Sequence, residues 1–129
     1  MYRITEVRSV TKLRLNGERL QALKALEEGD DDPFLDHLID HLLESLPIMI
    51  EELHRAVSEN KVEQVHHIAH KMKGRALNLG CEGFAGLCQD IEDLANSNAA
   101  MTPIKPLIDR LSPEYEWLRT QLKKDWRRP

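Results

Sequence analysis

The sequence is poor in features that staple, anchor or charge-target a chain. Two cysteines stand in 129 residues, Cys81 and Cys88, too few for a disulfide framework. On one helix they would lie roughly 10 Å apart along its axis, too far to bridge. Free thiols suit a reducing compartment, so a cytoplasmic location is expected. No apolar stretch approaches the ~20 residues of a membrane span. The opening MYRITEVRSVTKLRL has neither the apolar run nor the small-residue cleavage site of a signal peptide. Charge of one sign is lacking too: 18 basic residues face 22 acidic ones, a net of −4, which leaves no bulk attraction to nucleic acid. Aromatics are only 5% of the chain, and Trp117 and Trp126 are expected to pack rather than to stack on bases. There is no GxxxxGK[ST] loop and no kinase-type glycine loop, so self-phosphorylation from ATP is not expected.

What is present is leucine and alanine, 28 residues against 17 of valine, isoleucine and threonine, a bias to helix over strand. Apolar positions recur at threes and fours. The pattern predicts a first helix over about Asn16–Glu28, closed by Gly29 and three aspartates. A second, long and kinked at Pro47, runs to about Ser58, with Asp32 as N-cap and Pro33 at its first position. A third covers about Val62–Leu79 and a fourth about Glu82–Ala95. A last helix opens at Pro103 or Pro106 and reaches Trp126. Short connections make neighbours antiparallel, so the expected fold is all-α: an antiparallel four-helix bundle with an additional N-terminal helix. We read residues 1–129 as one domain, with an N-terminal extension of about 1–15 and the bundle at about 16–126. The segment through Val10 is ambiguous.

The third helix carries the chemistry. Val62, Val65, Ala69, Met72, Ala76 and Leu79 are spaced as a bundle-facing seam. At about 100° per residue, His70 falls roughly 140° from the centre of that seam and is predicted exposed. His67 and Gly74 share its outward face, flanked by Lys73 and Leu77. A mid-helix glycine costs about 1 kcal/mol relative to alanine. On an outward face it leaves the backbone bare beside an imidazole, so that another macromolecule can approach closely. Lys73 brings positive charge near whatever forms on the ring, and a neutral imidazole is a competent nucleophile.

The run AHKMKGRALNLG resembles the signature of histidine-containing phosphotransfer (HPt) domains, with His70, Lys73, Gly74 and Gly80 at matching positions. The likeness extends to FLDHLIDHLLESLP, with its proline, and to LCQDIEDLA. It implies a phosphorelay intermediate that takes a phosphoryl group from a receiver-domain aspartate onto Nε2 of His70 and passes it to another receiver. Lys73 would stabilise phosphate charge, and Glu92 stands where some members orient the histidine through its other ring nitrogen. His67, Lys71, Gly74, Arg75 and Leu77 would dock the receiver, with an apolar rim from Ile48 or Phe34. Arg75 departs from the small residue that many members carry there. The implied partners are response-regulator receiver domains and a hybrid sensor histidine kinase. No intrinsic cofactor is implied, because Mg²⁺ and the catalytic aspartates belong to the receiver. A monomer is expected, either free-standing or one domain of a hybrid sensor kinase, contacting neither nucleic acid nor membrane.

Several features have plainer readings. Gly80 reads as a helix terminator, Gly83 and Gly86 as sites of close helix packing, and Cys88 as inert core. Positive charge near the C-terminus, including Arg127 and Arg128, complements a helix dipole. His37 with His41, and His66 with His70, could each chelate an ion, but His67 occupies the position that H-E-x-x-H gives to glutamate. The competing functions are therefore an adaptor whose histidine is never phosphorylated and, less favoured, a metal-binding bundle.

Overall fold

The computed structural model describes residues 14–27, 32–97 and 101–129. The ambiguous opening segment, most of the expected extension and Gly29 lie outside them. The described residues form six helices and no strand: α1 Gly17–Ala25, α2 Phe34–Ser58, α3 Val62–Asn78, α4 Glu82–Asn96, α5 Met101–Asp109 and α6 Leu111–Asp125. Helices α2, α3, α4 and the broken arm α5–α6 make the four-helix bundle, and α1 packs on it as the additional helix. The arm lies on α2 and α4, while α3 packs chiefly between those two helices. One face of α3 therefore stays in solvent.

The tight connections follow from single residues. After α3 the chain takes a left-handed residue at Gly80, with φ at +72°. Its N–H bonds to the Leu77 carbonyl at 3.0 Å and the Cys81 N–H to that of Ala76 at 2.8 Å. This is a Schellman closure, which satisfies carbonyls left over at the helix end. Asn60 does the same between α2 and α3, at φ 58°. Gly80 is also crossed by the chain entering α1. The Asn16 N–H reaches the Gly80 carbonyl at 2.7 Å, and a Cβ on Gly80 would stand 2.9 Å from the Asn16 carbonyl oxygen. Nearby, the Gly83 N–H bonds to the Arg14 carbonyl, and the Arg14 guanidinium reaches Glu114 and lies 3.8 Å above Trp117.

Pro47 sits inside α2 without breaking it. Proline has no N–H to give the carbonyl four residues back. That carbonyl, on Leu43, accepts instead from the Tyr115 hydroxyl of α6 at 2.6 Å. The last arm differs from the single helix expected, being already helical at Met101 and stopping at Asp109. Pro113 explains the break: its ring would meet the Asp109 carbonyl and it cannot donate to it, so α6 restarts at Leu111 with the proline in its first turn.

Two termini differ from expectation through charge. The N-cap of α2 is Pro33 rather than Asp32, and it makes no side-chain cap bond. A free N–H of the first turn, on Leu35, is instead taken by the Glu27 carboxylate at 2.5 Å. The C-terminal arginines do more than complement a dipole. Arg127 grips both oxygens of Asp40 at 2.6 Å, and Arg128 reaches Glu27 at 2.8 Å and, through its backbone N–H, buried Asp36 at 3.1 Å. This clasp ties the end of the chain to the start of α2.

Candidate functional site

The seam of α3 is buried as its spacing requires: Val65, Ala69, Met72 and Ala76 are fully inaccessible. That fixes the helix rotation and leaves the His70 side chain 62% exposed. The ring is tethered on one edge only. Its Nδ1 lies 2.8 Å from Oε2 of Glu92, a buried carboxylate at the margin of the apolar face of α4. Glu92 Oε1 is 2.9 Å from the Lys73 ammonium, which also donates to Gln89 Oε1 at 2.9 Å. The Gln89 amide N–H in turn donates to Asp93 at 2.8 Å. One helical hairpin thus supplies a connected set: His70 and Lys73 from α3, Gln89, Glu92 and Asp93 from α4.

Burial works to raise the Glu92 carboxyl, but the Lys73 ammonium and then the His70 ring outweigh it and hold it below its ordinary value. Ionised at neutral pH, Glu92 can only accept, so the hydrogen between it and His70 belongs to Nδ1. In the neutral ring Nε2 then carries the lone pair, away from the carboxylate. The arrangement can present an imidazole nucleophile in one tautomer and orientation, with an anion ready for the positive charge the ring gains on reacting.

Around His70 the surface is bare and partly apolar. A Cβ on Gly74 would meet no atom within 4 Å, in agreement with an outward-facing glycine. Leu77, 47% exposed, continues the same face, and Ile48 on α2 is 61% exposed. Phe34, the alternative rim residue, is half-buried against the core. Arg75 is exposed. Lys71 and His67 lie instead toward α2, lining an open groove of about 340 Å³ with Glu52, Arg55 and Ile68.

His67 is exposed and shares the outward line of Gly74, seven residues on, while also bordering that groove. The histidine beside His70 is His66, whose ring lies parallel to it with centroids 6.4 Å apart and whose Nε2 is 3.6 Å from the same Glu92 oxygen. Both are one turn from His70, four and three residues back, and only the direction of α4 decides between them. The i,i+4 pairing of His66 with His70 was the available signal. Gln89 was missed altogether, although it stands three residues before Glu92 and so shares its helix face.

Other expectations divide. Gly83 is closely packed, since a Cβ there would be 2.9 Å from the Glu114 carboxylate, but Gly86 is as open as Gly74. Cys88 is buried, and burial, with Glu92 nearby, pushes its thiol up to about 12. Cys81 is buried and free as well. No group of three or more His, Cys, Asp or Glu side chains is placed to hold a metal among the described residues, and no helix there is long and apolar enough to cross a membrane.

Comparison with known proteins gives the family and the fold. The family model of the Hpt domain matches residues 37–124, which include His70, Lys73, Gln89 and Glu92. The fold resembles the crystal structure of histidine-containing phosphotransfer protein B from Pseudomonas aeruginosa PAO1, with a TM-score of 0.78 and 23% identity, over 87% of this chain and 93% of that one. No curated protein matches the sequence.

Proposed function

The chain belongs to the Hpt domain family, the phosphoryl-carrying modules of phosphorelays, and from that premise we propose that His70 is its phosphoacceptor. The single observation that carries the assignment is the Nδ1–Glu92 hydrogen bond on an otherwise exposed ring. In the proposed step Nε2 attacks the phosphorus of a receiver's aspartyl phosphate. The Nε2–P bond forms as the P–O bond to the aspartate breaks, and the carboxylate leaves with that electron pair. The Nδ1 hydrogen stays on the ring, and Glu92 balances the charge the ring acquires. The reverse step delivers the group to a second receiver.

Such transfer is mostly positioning and charge stabilisation, so few residues are needed on this side. Lys73 is the cation available to the phosphoryl oxygens. Gly74 and Leu77 offer a close, partly apolar approach, with Ile48 as rim, and Arg75 adds exposed positive charge. Lys71 and His67 belong to the neighbouring groove and would meet only a partner broad enough to span it. The partners we assign are receiver domains and a hybrid sensor histidine kinase. Mg²⁺ comes from the receiver, and the protein acts as a cytoplasmic monomer. Membership in a family of phosphocarrier modules supports the role of carrier rather than kinase.

The test is transfer of radiolabel from a phosphorylated receiver to the wild type and to His70→Gln. An acid-labile, base-stable label on the wild type alone is expected. A label retained by His70→Gln would move the acceptor elsewhere. A variant that keeps full signalling without any label would favour the adaptor function.

A further inference from the structure

Lys73 is held in the unphosphorylated protein at a place where it does not serve a phosphoryl group. Both of its partners belong to α4, Gln89 Oε1 as hydrogen-bond acceptor and Glu92 Oε1 as ion pair, and its side chain is only 20% exposed. Phosphorus on Nε2 would lie across the ring from Nδ1 and hence from Glu92. To engage oxygens there, the ammonium would turn from its α4 partners toward the outer edge of the ring.

Gln89 is set up to oppose that movement. An amide has a donor end and an acceptor end, and here the donor end is committed to Asp93 at 2.8 Å. This turns the carbonyl oxygen toward Lys73. Flipping the amide would lose the Asp93 bond and set N–H groups against an ammonium. Glu92 is a different kind of anchor. Once the ring carries positive charge beside Oε2, the carboxylate serves a second cation and its hold on Lys73 weakens. Gln89 has no such second role, so its grip is unchanged by phosphorylation.

We infer that Gln89 is a positioning residue for Lys73, a latch that keeps the ammonium on α4 in the resting state and sets how far it moves to the phosphoryl group on His70. The inference rests on His70 as phosphoacceptor. Removing the latch destabilises the resting arrangement relative to the phosphorylated one. A hydrogen bond to a charged, partly exposed group suggests a population shift of about threefold.

The experiment uses the whole protein, phosphorylated with phosphoramidate, so no receiver is required. Here the P–N bond of the reagent breaks, ammonia leaves, and the Nε2–P bond forms. The ³¹P line of phospho-His70 is identified by its absence from His70→Gln and titrated with pH. A cation beside the phosphoryl oxygens lowers the midpoint of that titration. Gln89→Leu should lower it further, by about 0.5 unit, corresponding to the threefold shift. Gln89→Glu, which keeps an acceptor, should return it to the wild-type value or above.

In a Lys73→Met background, replacing Gln89 should change nothing. In the unphosphorylated protein, the ¹⁵Nζ resonance of Lys73 should be visible in the wild type and lost to fast hydrogen exchange in Gln89→Leu. Equal midpoints in wild type and Gln89→Leu would overturn the latch, as would a shift that persists without Lys73. The ¹⁵Nζ measurement needs no phosphorylation, so a failed latch is distinguishable from a mistaken phosphoacceptor.

Discussion

Replacing Gly74 by alanine should make this protein more stable and slower at once. The residue lies inside α3, its φ is not among the positive ones, and an added Cβ would meet nothing within 4 Å. No steric term then offsets the helix-forming advantage of alanine. That advantage is about 0.5–1 kcal/mol, much of it from the entropy that glycine gives the unfolded chain. For a domain of this size the unfolding midpoint should rise by roughly 2–5 °C. The methyl group would sit one turn from His70, about 6 Å along the helix. It would hold a receiver away from the bare backbone, so kcat/KM for transfer should fall, chiefly through KM. Gly74→Gln should lower it further, by about tenfold, with the fold intact. Thermal unfolding by circular dichroism and transfer rates against receiver concentration measure the two quantities separately. A lower midpoint for alanine would mean that the face is packed, contrary to the geometry. Unchanged kcat/KM in both variants would refute close approach as the reason for the glycine.

Two further predictions concern the frame that holds the site. Gly80→Ala puts a side chain at φ +72° and 2.9 Å from the Asn16 carbonyl oxygen, so a loss of about 2–3 kcal/mol is expected in urea unfolding. A midpoint equal to that of the wild type would show that the Asn16 crossing gives way freely. Arg127→Ala should lower the melting temperature at neutral pH by releasing Asp40. The Arg127 guanidinium holds the Asp40 carboxyl below its ordinary 3.8, and a depressed carboxylate stabilises the fold above its unfolded value and loses that effect as pH falls through the folded one. The gap between variant and wild type should therefore close on acidification below about pH 4, and a gap that stays constant to pH 2 would count against the ion pair as its cause.

How far the site could be read in advance depended on the range of the interactions involved. The rotation of α3 follows from a seam of small and branched apolar residues, so the exposure of His70 and the openness of Gly74 were legible from spacing. Gly80 was legible because a helix end needs a residue that tolerates a left-handed backbone. Glu92 was reached through resemblance, since no spacing rule brings a residue 22 positions away to a particular ring nitrogen. Choosing His66 over His67 needed the side on which α4 lies, which a single helix does not specify. Gln89 acts through the orientation of an amide, and that orientation depends on Asp93. The break at Arg110 was present in the position of Pro113 but hidden by the stronger signals of Pro103 and Pro106. Least legible was the clasp: Arg127 and Asp40 are 87 residues apart, and charges at such separation meet only once the core has folded.

Every side chain in the charge relay around His70 comes from one α-hairpin, and the partners that cross it are 16 to 26 residues apart in the chain. Contacts of such short range can form as soon as α3 closes on α4, before the ends of the chain are clasped. The arm packs on α4, so substitutions in α5 or α6 reach the imidazole, its carboxylate and its lysine through the seating of that helix.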